Sequence, residues 1–381
     1  MTMLTREIFG PDHEAFRDAA RRFFEREVAP QHLQWQEDGI VPRAVWKKAG
    51  EAGLLCTTMP DEYGGSGADR FFPAILIEEQ ARLGLSGPGF STHSDIVAPY
   101  ILNYGTEAQK ERYVRDLATG AKLTAFALTE PQGGSDAASI RTRATRKGGG
   151  YVLNGSKQFI TSGQTADIAL VIAVTDPEAG KRGISAFIVD TKTPGYVVAR
   201  IEKKMGQNAS DTCEILLQDA VVSAEDRLGE EGQGYRIALA NLEGGRIGIA
   251  SQCVGMARAA LDIAVRYAHE RRAFGKTIFE HQAVSFRLAD MATSLEAARQ
   301  LTLHAAALKD AGQPCLTEAS MAKLFASEAA ERICSDALQT LGGAGYIQDF
   351  GVERICRGVR GAKIYEGTND IQRLVISRSL V

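Results

Sequence analysis

The 381-residue sequence lacks the patterns typical of metal-binding, disulfide-stabilised and membrane-spanning proteins. Its six cysteines, at positions 56, 213, 253, 315, 334 and 356, include no CxxC pair, and its six histidines include no HExxH spacing. The scattered cysteines favour free thiols in a reducing cytosol, and the histidines predict no metal site. The longest apolar runs, such as IALVIAV at 168–174, are too short to cross a bilayer.

An excess of one charge is also absent. The chain has 44 basic and 47 acidic residues, a net charge of −3, and the two signs are interspersed. This balance predicts no surface for nucleic acid or for an anionic membrane. Residues 1–28 mix acids with bases and contain no continuous apolar stretch, so we expect neither a signal peptide nor a transit peptide. The predicted location is cytoplasmic.

Local periodicity divides the sequence into three parts. Residues 1–122 have helical patterns, with Phe16, Ala19 and Phe23 on one predicted helix face and another candidate helix at 71–84. Residues 123–230 alternate short β-rich runs with turn residues, which predicts a small all-β domain, a barrel or a sandwich.

Residues 231–381 return to helical patterns and contain one proline, Pro314. One long apolar stripe recurs at helical spacing and comprises Ala250, Val254, Ala257, Leu261, Val265 and Ala268. The predicted fold class is therefore α+β and multidomain. It has an N-terminal helical domain, a middle β-barrel or sandwich domain, and a C-terminal four-helix-bundle domain.

Two motifs flank the start of the β part. In ALTEPQGGSDAAS, 127–139, Gly133-Gly134 before Ser135 could point successive N–H groups at an anion such as a pyrophosphate. An ordinary polar turn also accounts for these residues. In NGSKQFITSG, 154–163, Asn154-Gly155 predicts a hairpin turn. Phe159 and Thr161 then share a strand face that could hold a flat polar ring, or be simply half-buried.

Three further motifs lie in the C-terminal part. ERRAFGKTIFEHQ, 270–282, offers Arg271 for a phosphate, although these residues alone favour a solvated helix end. QTLGGAGYIQDFGVER, 339–354, contains glycines that either allow close backbone approach or end a helix. In YEGTNDIQ, 365–372, Gly367 ends one segment and Thr368 predicts the N-cap of a last helix, and this local interpretation explains the motif without a chemical role for Glu366.

In this order and at these distances, the motifs resemble those of the acyl-CoA dehydrogenase family of flavoenzymes. ALTEPQGGSD and QTLGGAGY are similar to the two signature regions of the family, and RRAFGKTIFEHQ and IYEGTNDIQ to two further blocks. The resemblance covers essentially the whole chain. It implies the same three-domain fold, a homotetramer built as a dimer of dimers, FAD between the β domain and the bundle, an acyl-CoA substrate, and an electron-transferring flavoprotein as acceptor.

The resemblance also assigns roles to individual residues. Contacts to the flavin and its pyrophosphate fall on Leu128, Thr129, Gly134 and Ser135, with Phe159 and Thr161 flanking the isoalloxazine ring. The adenine end, held partly by a neighbouring subunit, falls on Arg271, Phe274, Gln282, Gln339, Gly342 and Gly343. Thr368 and Asp370 would close the site. Substrate contacts fall on Ser135, Glu243, Arg246, Tyr365 and Gly367.

Glu366 coincides with the catalytic base of the family, which removes the proton alpha to the thioester carbonyl. By the same resemblance, the Glu366 N–H and a ribityl hydroxyl bind the thioester oxygen. The beta hydrogen then passes to the flavin as hydride, giving a trans-2-enoyl-CoA in β-oxidation or related catabolism. An acyl-CoA oxidase on the same fold is an alternative. A non-catalytic flavin-binding relative is another, and Glu366 argues against it.

Three positions qualify the resemblance. Some relatives carry the base at the position equivalent to Gly245, which has no carboxylate here. Gly358 stands where an acidic residue is usual, so a structural ion pair is expected to be missing. Glu243 stands where aspartate is usual. Residues 90–101 resemble those of relatives acting on straight medium-to-long chains, but the acyl group is not readable from the sequence.

Overall fold

The computed structural model describes residues 8–380. The prediction about a leader peptide, the start of the N-terminal domain and Val381 fall partly or wholly outside these described residues. Between residues 8 and 122 the structure is helical. The helices are α1 Pro11–Phe23, α2 His32–Asp38, α3 Arg43–Glu51, α4 Phe71–Arg82, α5 Ala98–Tyr104 and α6 Glu107–Ala118.

The buried face of α1 differs from the predicted one. Phe23 is buried, but Ala19 is exposed, and Arg17 and Ala20 are buried instead. The cause is Glu79 on α4, whose Oε1 accepts a hydrogen bond from Arg17 Nη1 at 3.1 Å. Because Arg17 has a buried acidic partner, it lies on the buried face of α1, which the apolar pattern alone did not predict.

The middle of the chain forms an eight-stranded sheet in the order β6-β7-β3-β2-β4-β5-β8, with β1 beside β4. Arg143 and Val174 form the one residue pair that joins β2 to β4. The sheet therefore consists of two four-stranded halves packed around a shared core. The strands are β1 Thr124–Ala127, β2 Arg143–Lys147, β3 Gly150–Thr161, β4 Ile168–Val174, β5 Ile184–Asp190, β6 Tyr196–Ile201, β7 Thr212–Ser223 and β8 Arg227–Leu228.

The β4 strand explains the apolar run IALVIAV, because every one of its residues is buried. Ala169, Val171 and Ala173 face the core shared by the two halves of the sheet. Ile168, Leu170, Ile172 and Val174 lie on the opposite face and pack with the N-terminal helices. The strand thus attaches the β domain to the helical domain by burying both of its faces.

The predicted hairpin turn at Asn154-Gly155 is wrong. Both residues lie inside β3, and the turn between β2 and β3 is formed by Gly148 and Gly149, whose φ angles are 57° and 84°. Two successive left-handed residues match the twist of paired strands. Asn154 instead bonds across to β7, where its Oδ1 accepts from Asp219 N at 2.9 Å.

The C-terminal part is built on three long helices. Helices α8 and α10 run parallel, because Arg246 near the start of α8 bonds Ser320 near the start of α10. Helix α9 runs antiparallel, because Lys309 at its end pairs with Glu243 at the start of α8. The elements are α7 Gly234–Leu239, α8 Leu242–Glu270, β9 Arg272–Ala273, β10 Lys276–Thr277, α9 Gln282–Asp310, α10 Leu316–Leu341, α11 Gly343–Tyr346, α12 Val352–Val359 and α13 Asn369–Arg378.

The predicted stripe of α8 is confirmed, since five of its six residues are buried and Val265 is partly buried. The segment Gly234–Glu270 is long and apolar enough to cross a membrane by length and composition, and 72% of its most apolar window is buried inside the protein. Such burial is typical of the core helix of a bundle. The six cysteines are free thiols, as expected.

The predicted fold class is confirmed: a helical region, a β region and a helical region follow each other along the chain. The last helix of the first region ends at Ala118, and β1 begins at Thr124. Strand β8 ends at Leu228, and α7 begins at Gly234. The domain limits 1–122, 123–230 and 231–381 stay a prediction.

Candidate active site

The segment before α13 contains two consecutive left-handed residues, Glu366 at φ 53° and Gly367 at φ 83°. Thr368 then caps the helix, its hydroxyl oxygen accepting from Ile371 N at 3.3 Å. A Cβ on Gly367 would lie 2.9 Å from Gln372 Nε2. The local interpretation of this motif is therefore correct for Thr368, and the strained backbone at Glu366 is an additional feature that the cap does not explain.

Two polar side chains, those of Lys323 and Gln372, donate hydrogen bonds to this segment. Lys323 Nζ donates to the Gly367 carbonyl at 2.8 Å and to Asn369 Oδ1 at 3.0 Å. Gln372 Nε2 donates to the carbonyls of Glu366 and Gly367 at 3.1 and 2.8 Å. None of Lys323, Asn369 and Gln372 was predicted from the sequence as a site residue. A signal existed for Lys323, because helical spacing puts this charge on the buried face of α10 with Ala319, Ala326 and Ala330.

The Glu366 carboxylate lies against the start of α8. A Cβ built on Gly245 would be 2.6 Å from Glu366 Oε2, so the alternative position for the base shares one pocket with Glu366. Burial raises the pKa of Glu366, and the positive charges of Arg246 and Lys323 partly oppose that rise. A carboxylate in such surroundings is a stronger base than an exposed one.

Arg246 is 2% exposed and donates through Nη1 to Ser320 Oγ at 3.0 Å. Its Nε has no hydrogen-bond partner within the described part of the chain. Glu243, one turn earlier, pairs with Lys309 at 3.1 Å. Both residues thus lie at the Glu366 end of the bundle, while their contact with substrate stays a prediction.

Tyr365 is fixed by two hydrogen bonds. Its hydroxyl donates to Gln252 Oε1 and accepts from Gln207 Nε2, both at 2.8 Å. Burial raises the pKa of Tyr365, so the phenol is neutral. Gln207 Nε2 also donates to the Gly358 carbonyl at 2.9 Å, which joins the β domain to the bundle. A Cβ on Gly358 would be 3.7 Å from Gln207 Cγ, an ordinary contact distance, so a side chain at this position would not clash at its Cβ.

Of the successive N–H groups predicted to bind an anion at 133–135, that of Gly133 is already bonded within the chain. The Gly133 N–H donates to the Glu130 carbonyl at 3.0 Å and is not free. The N–H groups of Gly134 and Ser135 have no hydrogen-bond acceptor within residues 8–380, and both residues are exposed. Leu128 and Thr129 are partly buried beside them, and a Cβ on Gly134 would be 3.6 Å from Thr129 Cγ2.

Phe159 is 60% exposed and has a φ of 59°. It is the extra residue of a bulge, because the pairing of β3 with β7 shifts between Lys157 and Ile160. The bulge breaks the simple alternation that the sequence predicted. Thr161 is partly buried, and a Cβ on Gly89 would be 3.8 Å from its Cγ2.

A buried ion pair joins the two β motifs. Lys157 Nζ lies 2.7 Å from Glu130 Oε1 and donates to the Leu128 carbonyl at 3.1 Å. Both side chains are almost fully buried. Although burial itself raises the pKa of Glu130, the charge and hydrogen bond of Lys157 lower it to about 2. This pair was not predictable from the sequence, since the two residues lie in separate motifs.

The residues predicted for the adenine end lie at the other end of the bundle. Phe274 is 97% exposed and left-handed, at φ 52°. Helix α8 has 29 residues, so its ends are about 43 Å apart. An extended FAD molecule is shorter than this. In one chain the residues predicted for the adenine end therefore lie far from Glu366, and their contact with the cofactor stays a prediction. The exposed residues at the far end are Arg271, Phe274, Gln282, Gln339, Gly342 and Gly343.

Contacts connect Glu366 with the β motifs in one chain. Gly245 faces Glu366, a Cβ on Gly248 would be 3.0 Å from Ser91 Oγ, and Gly89 faces Thr161. The base, the segment 89–91 and the exposed edge of β3 therefore line one region. Asp370, whose side chain is 91% exposed, lies at the rim beyond Thr368.

Three family models cover nearly the whole chain. They are described as the N-terminal, middle and C-terminal domains of acyl-CoA dehydrogenase, and they match residues 10–121, 125–220 and 232–381. The chain belongs to the acyl-CoA dehydrogenase family.

Similar proteins include an acyl-CoA dehydrogenase of Bacillus subtilis (strain 168), 48% identical over 96% of this chain and 97% of the relative. The subunit CarC of a caffeyl-CoA reductase-Etf complex from Acetobacterium woodii is 43% identical over 98% of this chain and 99% of the relative. Among solved structures, butyryl-CoA dehydrogenase from Megasphaera elsdenii has a TM-score of 0.93 and 40% identity over 100% of both chains. A glutaryl-CoA dehydrogenase from Mycobacterium smegmatis in complex with FADH2 has a TM-score of 0.91 and 30% identity, over 98% of this chain and 95% of that chain.

Acyl-CoA dehydrogenases are FAD-dependent oxidoreductases, so this member is an oxidoreductase whose cofactor is FAD. The residues of the chain fit such a cofactor. Two unused N–H groups at Gly134 and Ser135 suit a pyrophosphate, and the exposed Phe159 ring offers an apolar face to a flat ring system. Within residues 8–380 no group of three histidine, cysteine or acidic side chains is arranged to hold a metal ion.

Proposed function

We propose that this acyl-CoA dehydrogenase oxidises a saturated acyl-CoA thioester to the trans-2-enoyl-CoA, with Glu366 as the base that removes the alpha proton. The observation that best supports this role is the environment of the Glu366 carboxylate. Burial raises its pKa, and the nearby cations Arg246 and Lys323 favour its ionised form. A general base works best when its pKa lies near the working pH. The raised pKa of Glu366 moves it in that direction.

The backbone of Glu366 supports a second role. Its N–H has no acceptor within the described residues, whereas its carbonyl is held by Gln372. The peptide that follows Glu366 is therefore held, while the N–H of the peptide that precedes it is unused. We infer that this N–H binds the thioester oxygen and stabilises the negative charge that develops there as the alpha proton leaves. Tyr365, on one side, is fixed through its hydroxyl, and the Gly367 carbonyl, on the other side, is held by Lys323 and Gln372.

When bound, FAD supplies the acceptor for the beta hydride. The chain would hold its flavin and pyrophosphate through Leu128, Thr129, Gly134 and Ser135 and would flank the ring with Phe159 and Thr161. Thr368 and Asp370 would close this region, and Ser135, Glu243 and Arg246 would also bind substrate. The adenine end would rest on a neighbouring subunit through the exposed far end of its bundle, which favours an oligomer, and the family resemblance favours a homotetramer.

The electron acceptor proposed for the enzyme is an electron-transferring flavoprotein, in fatty-acid β-oxidation or related acyl-CoA catabolism in the cytoplasm. One relative named above is a reductase of an unsaturated thioester. The same residues could serve that direction, with Glu366 returning the alpha proton. An oxidase that passes electrons to oxygen is a further alternative, which oxygen consumption during turnover would detect.

The test is anaerobic bleaching of the flavin absorbance by acyl-CoA thioesters that vary in length and branching. Glu366→Gln should keep the fold and the flavin, because the side chains are nearly isosteric. It should slow bleaching by about 10²–10⁴-fold, because the amide cannot accept the proton. Bleaching close to the wild-type rate would show that the base lies elsewhere.

The matched control is Glu243→Gln, which removes a carboxylate at the same end of α8. If Glu243 helps to hold substrate, the apparent affinity should fall while the limiting rate of bleaching is largely kept. An equal loss of limiting rate in both variants would contradict the separate roles proposed for the two carboxylates.

A further inference from the structure

Lys323 has no exposed surface and lies beneath the segment 366–369. Two of the three protons of its ammonium group are committed to that segment, one to the Gly367 carbonyl and one to Asn369 Oδ1. The Asn369 side chain is fixed in turn by Ser327, whose Oγ accepts from Asn369 Nδ2 at 3.0 Å. A buried ammonium is unfavourable unless it is hydrogen-bonded, and here its partners belong to the segment that carries the base.

These bonds act at a strained part of the backbone. Left-handed geometry is unfavourable for a residue with a Cβ such as Glu366, and it persists only where the surroundings hold it. Lys323 and Gln372 both donate to the Gly367 carbonyl, from two different helices. Removal of Lys323 leaves Gln372 as the remaining side-chain donor to that carbonyl.

The charge of Lys323 acts on the same carboxylate. Around Glu366 stand the cations Arg246 and Lys323, and the phenol of Tyr100 faces it from α5. Burial lowers the pKa of Lys323 to about 8, which leaves it largely charged at neutral pH. Burial raises the pKa of Cys253, which faces Lys323, to about 12, so this thiol is neutral. Arg246 and Lys323 therefore supply the positive charge that favours ionised Glu366.

We propose that Lys323 is a positioning residue for proton abstraction: its hydrogen bonds hold Glu366 and Gly367 in their left-handed form, and its charge keeps the Glu366 carboxylate ionised. The proposal rests on the proposed function, in which Glu366 is the base. It predicts that loss of the charge changes the pH at which the base becomes active, which a purely structural lysine would not do.

The test measures proton transfer apart from oxidation. The thioester 3,3-dimethylbutanoyl-CoA has alpha hydrogens but no beta hydrogen, so the holoenzyme can exchange its alpha protons with D₂O and cannot oxidise it. Exchange is followed by mass spectrometry across a range of pH. Glu366→Gln should abolish exchange. Exchange that persists in Glu366→Gln would overturn the proposed base and this inference together.

Lys323→Met removes the charge and both hydrogen bonds. We expect the midpoint of the exchange profile to move up by about one pH unit and exchange at neutral pH to fall about tenfold, whereas Lys323→Arg should keep a midpoint close to wild type. Lys363→Met is the matched control, because Lys363 pairs with Glu331 at 2.6 Å and not with the segment. Its midpoint should not move.

Two results would overturn the inference while leaving the base intact. One is an exchange profile in Lys323→Met that matches wild type while Glu366→Gln is inactive. The other is a uniform loss of rate with an unchanged midpoint, which would identify Lys323 as a structural residue. If Lys323→Met does not fold with FAD, Lys323→Gln gives the same comparison, because it also removes the charge but keeps a donor.

Discussion

At the residue scale, the site depends on the absence of a side chain at Gly245. The nearest atom to a Cβ at this position would be Glu366 Oε2, at 2.6 Å. Gly245→Ala should therefore push the carboxylate aside without unfolding the helix, since alanine is a strong helix former. A displacement of about 1 Å can slow a reaction by about 100-fold. Rapid anaerobic flavin reduction by the best acyl-CoA measures this effect.

The control for this change is Gly358→Ala. A Cβ there would meet Gln207 Cγ and Met256 Cε at 3.7 Å, which is ordinary contact. It should leave the reduction rate unchanged and should not lower the melting temperature. If Gly245→Ala also reduces its flavin at the wild-type rate, the carboxylate does not need its present position.

The residues of the site that the sequence made visible are those whose roles are local. Thr368 is visible as a cap because its partner lies three residues away. Lys323 and Asn369 are 46 residues apart, and no periodicity connects them. Their role depends on the parallel packing of α8 and α10 and on the path of the chain after α12. Both are visible only in the folded structure.

At the scale of elements, periodicity predicted the long helices and most strands, while turns and bulges were less accessible. Asn154-Gly155 is a strong hairpin signal, yet Gly148-Gly149 forms the turn because both glycines take left-handed angles there. The bulge at Phe159 was not visible either, since it follows from pairing with β7. Both dipeptides are good local turn signals, and the pairing of the strands determines which of them forms the turn.

The buried pair Glu130–Lys157 connects the end of β1 to β3 and can be tested by its removal. Lys157→Met leaves a buried carboxylate without its cation, which typically costs about 3–5 kcal/mol. We expect a marked fall in the melting temperature, measured by circular dichroism or calorimetry. Lys48→Met is the control, because Lys48 and Glu27 are similarly close, at 2.6 Å, but the Lys48 side chain is exposed. The control should melt close to wild type.

The pH dependence of this pair has a definite sign. The pKa of Glu130 is lowered in the folded protein from 4.5 to about 2. The pair therefore contributes its full stability above pH 4.5 and loses it as the pH falls toward about 2. The wild-type protein should lose stability over this acidic range more steeply than Lys157→Met. Equal slopes would show that the two side chains are not coupled.

At the scale of the whole molecule, the two ends of the C-terminal bundle have different surroundings. The Glu366 end is covered by the N-terminal helices and the β domain through contacts at Ser91, Gln207 and Thr161. The far end is exposed and carries uncovered aromatic side chains, among them Phe274 and Tyr346. Because the bundle is longer than FAD, a far end that binds cofactor must serve a site on another subunit.

This geometry predicts that loss of subunit contacts releases FAD. Dilution that yields monomers in sedimentation should also yield apoprotein, whereas monomers that keep stoichiometric flavin would contradict a shared site.

The neighbouring residues Arg271 and Arg272 distinguish an effect on FAD binding from an effect on folding. The Arg271 side chain has no hydrogen-bond or ion-pair partner within residues 8–380, whereas Arg272 Nη2 donates to the Gly275 carbonyl at 2.9 Å and stabilises the β9–β10 hairpin. Arg271→Ala should weaken FAD retention more than Arg272→Ala, because a free guanidinium is available for phosphate. Gel filtration with detection of flavin absorbance compares the two variants, and the reverse order would assign cofactor binding to Arg272.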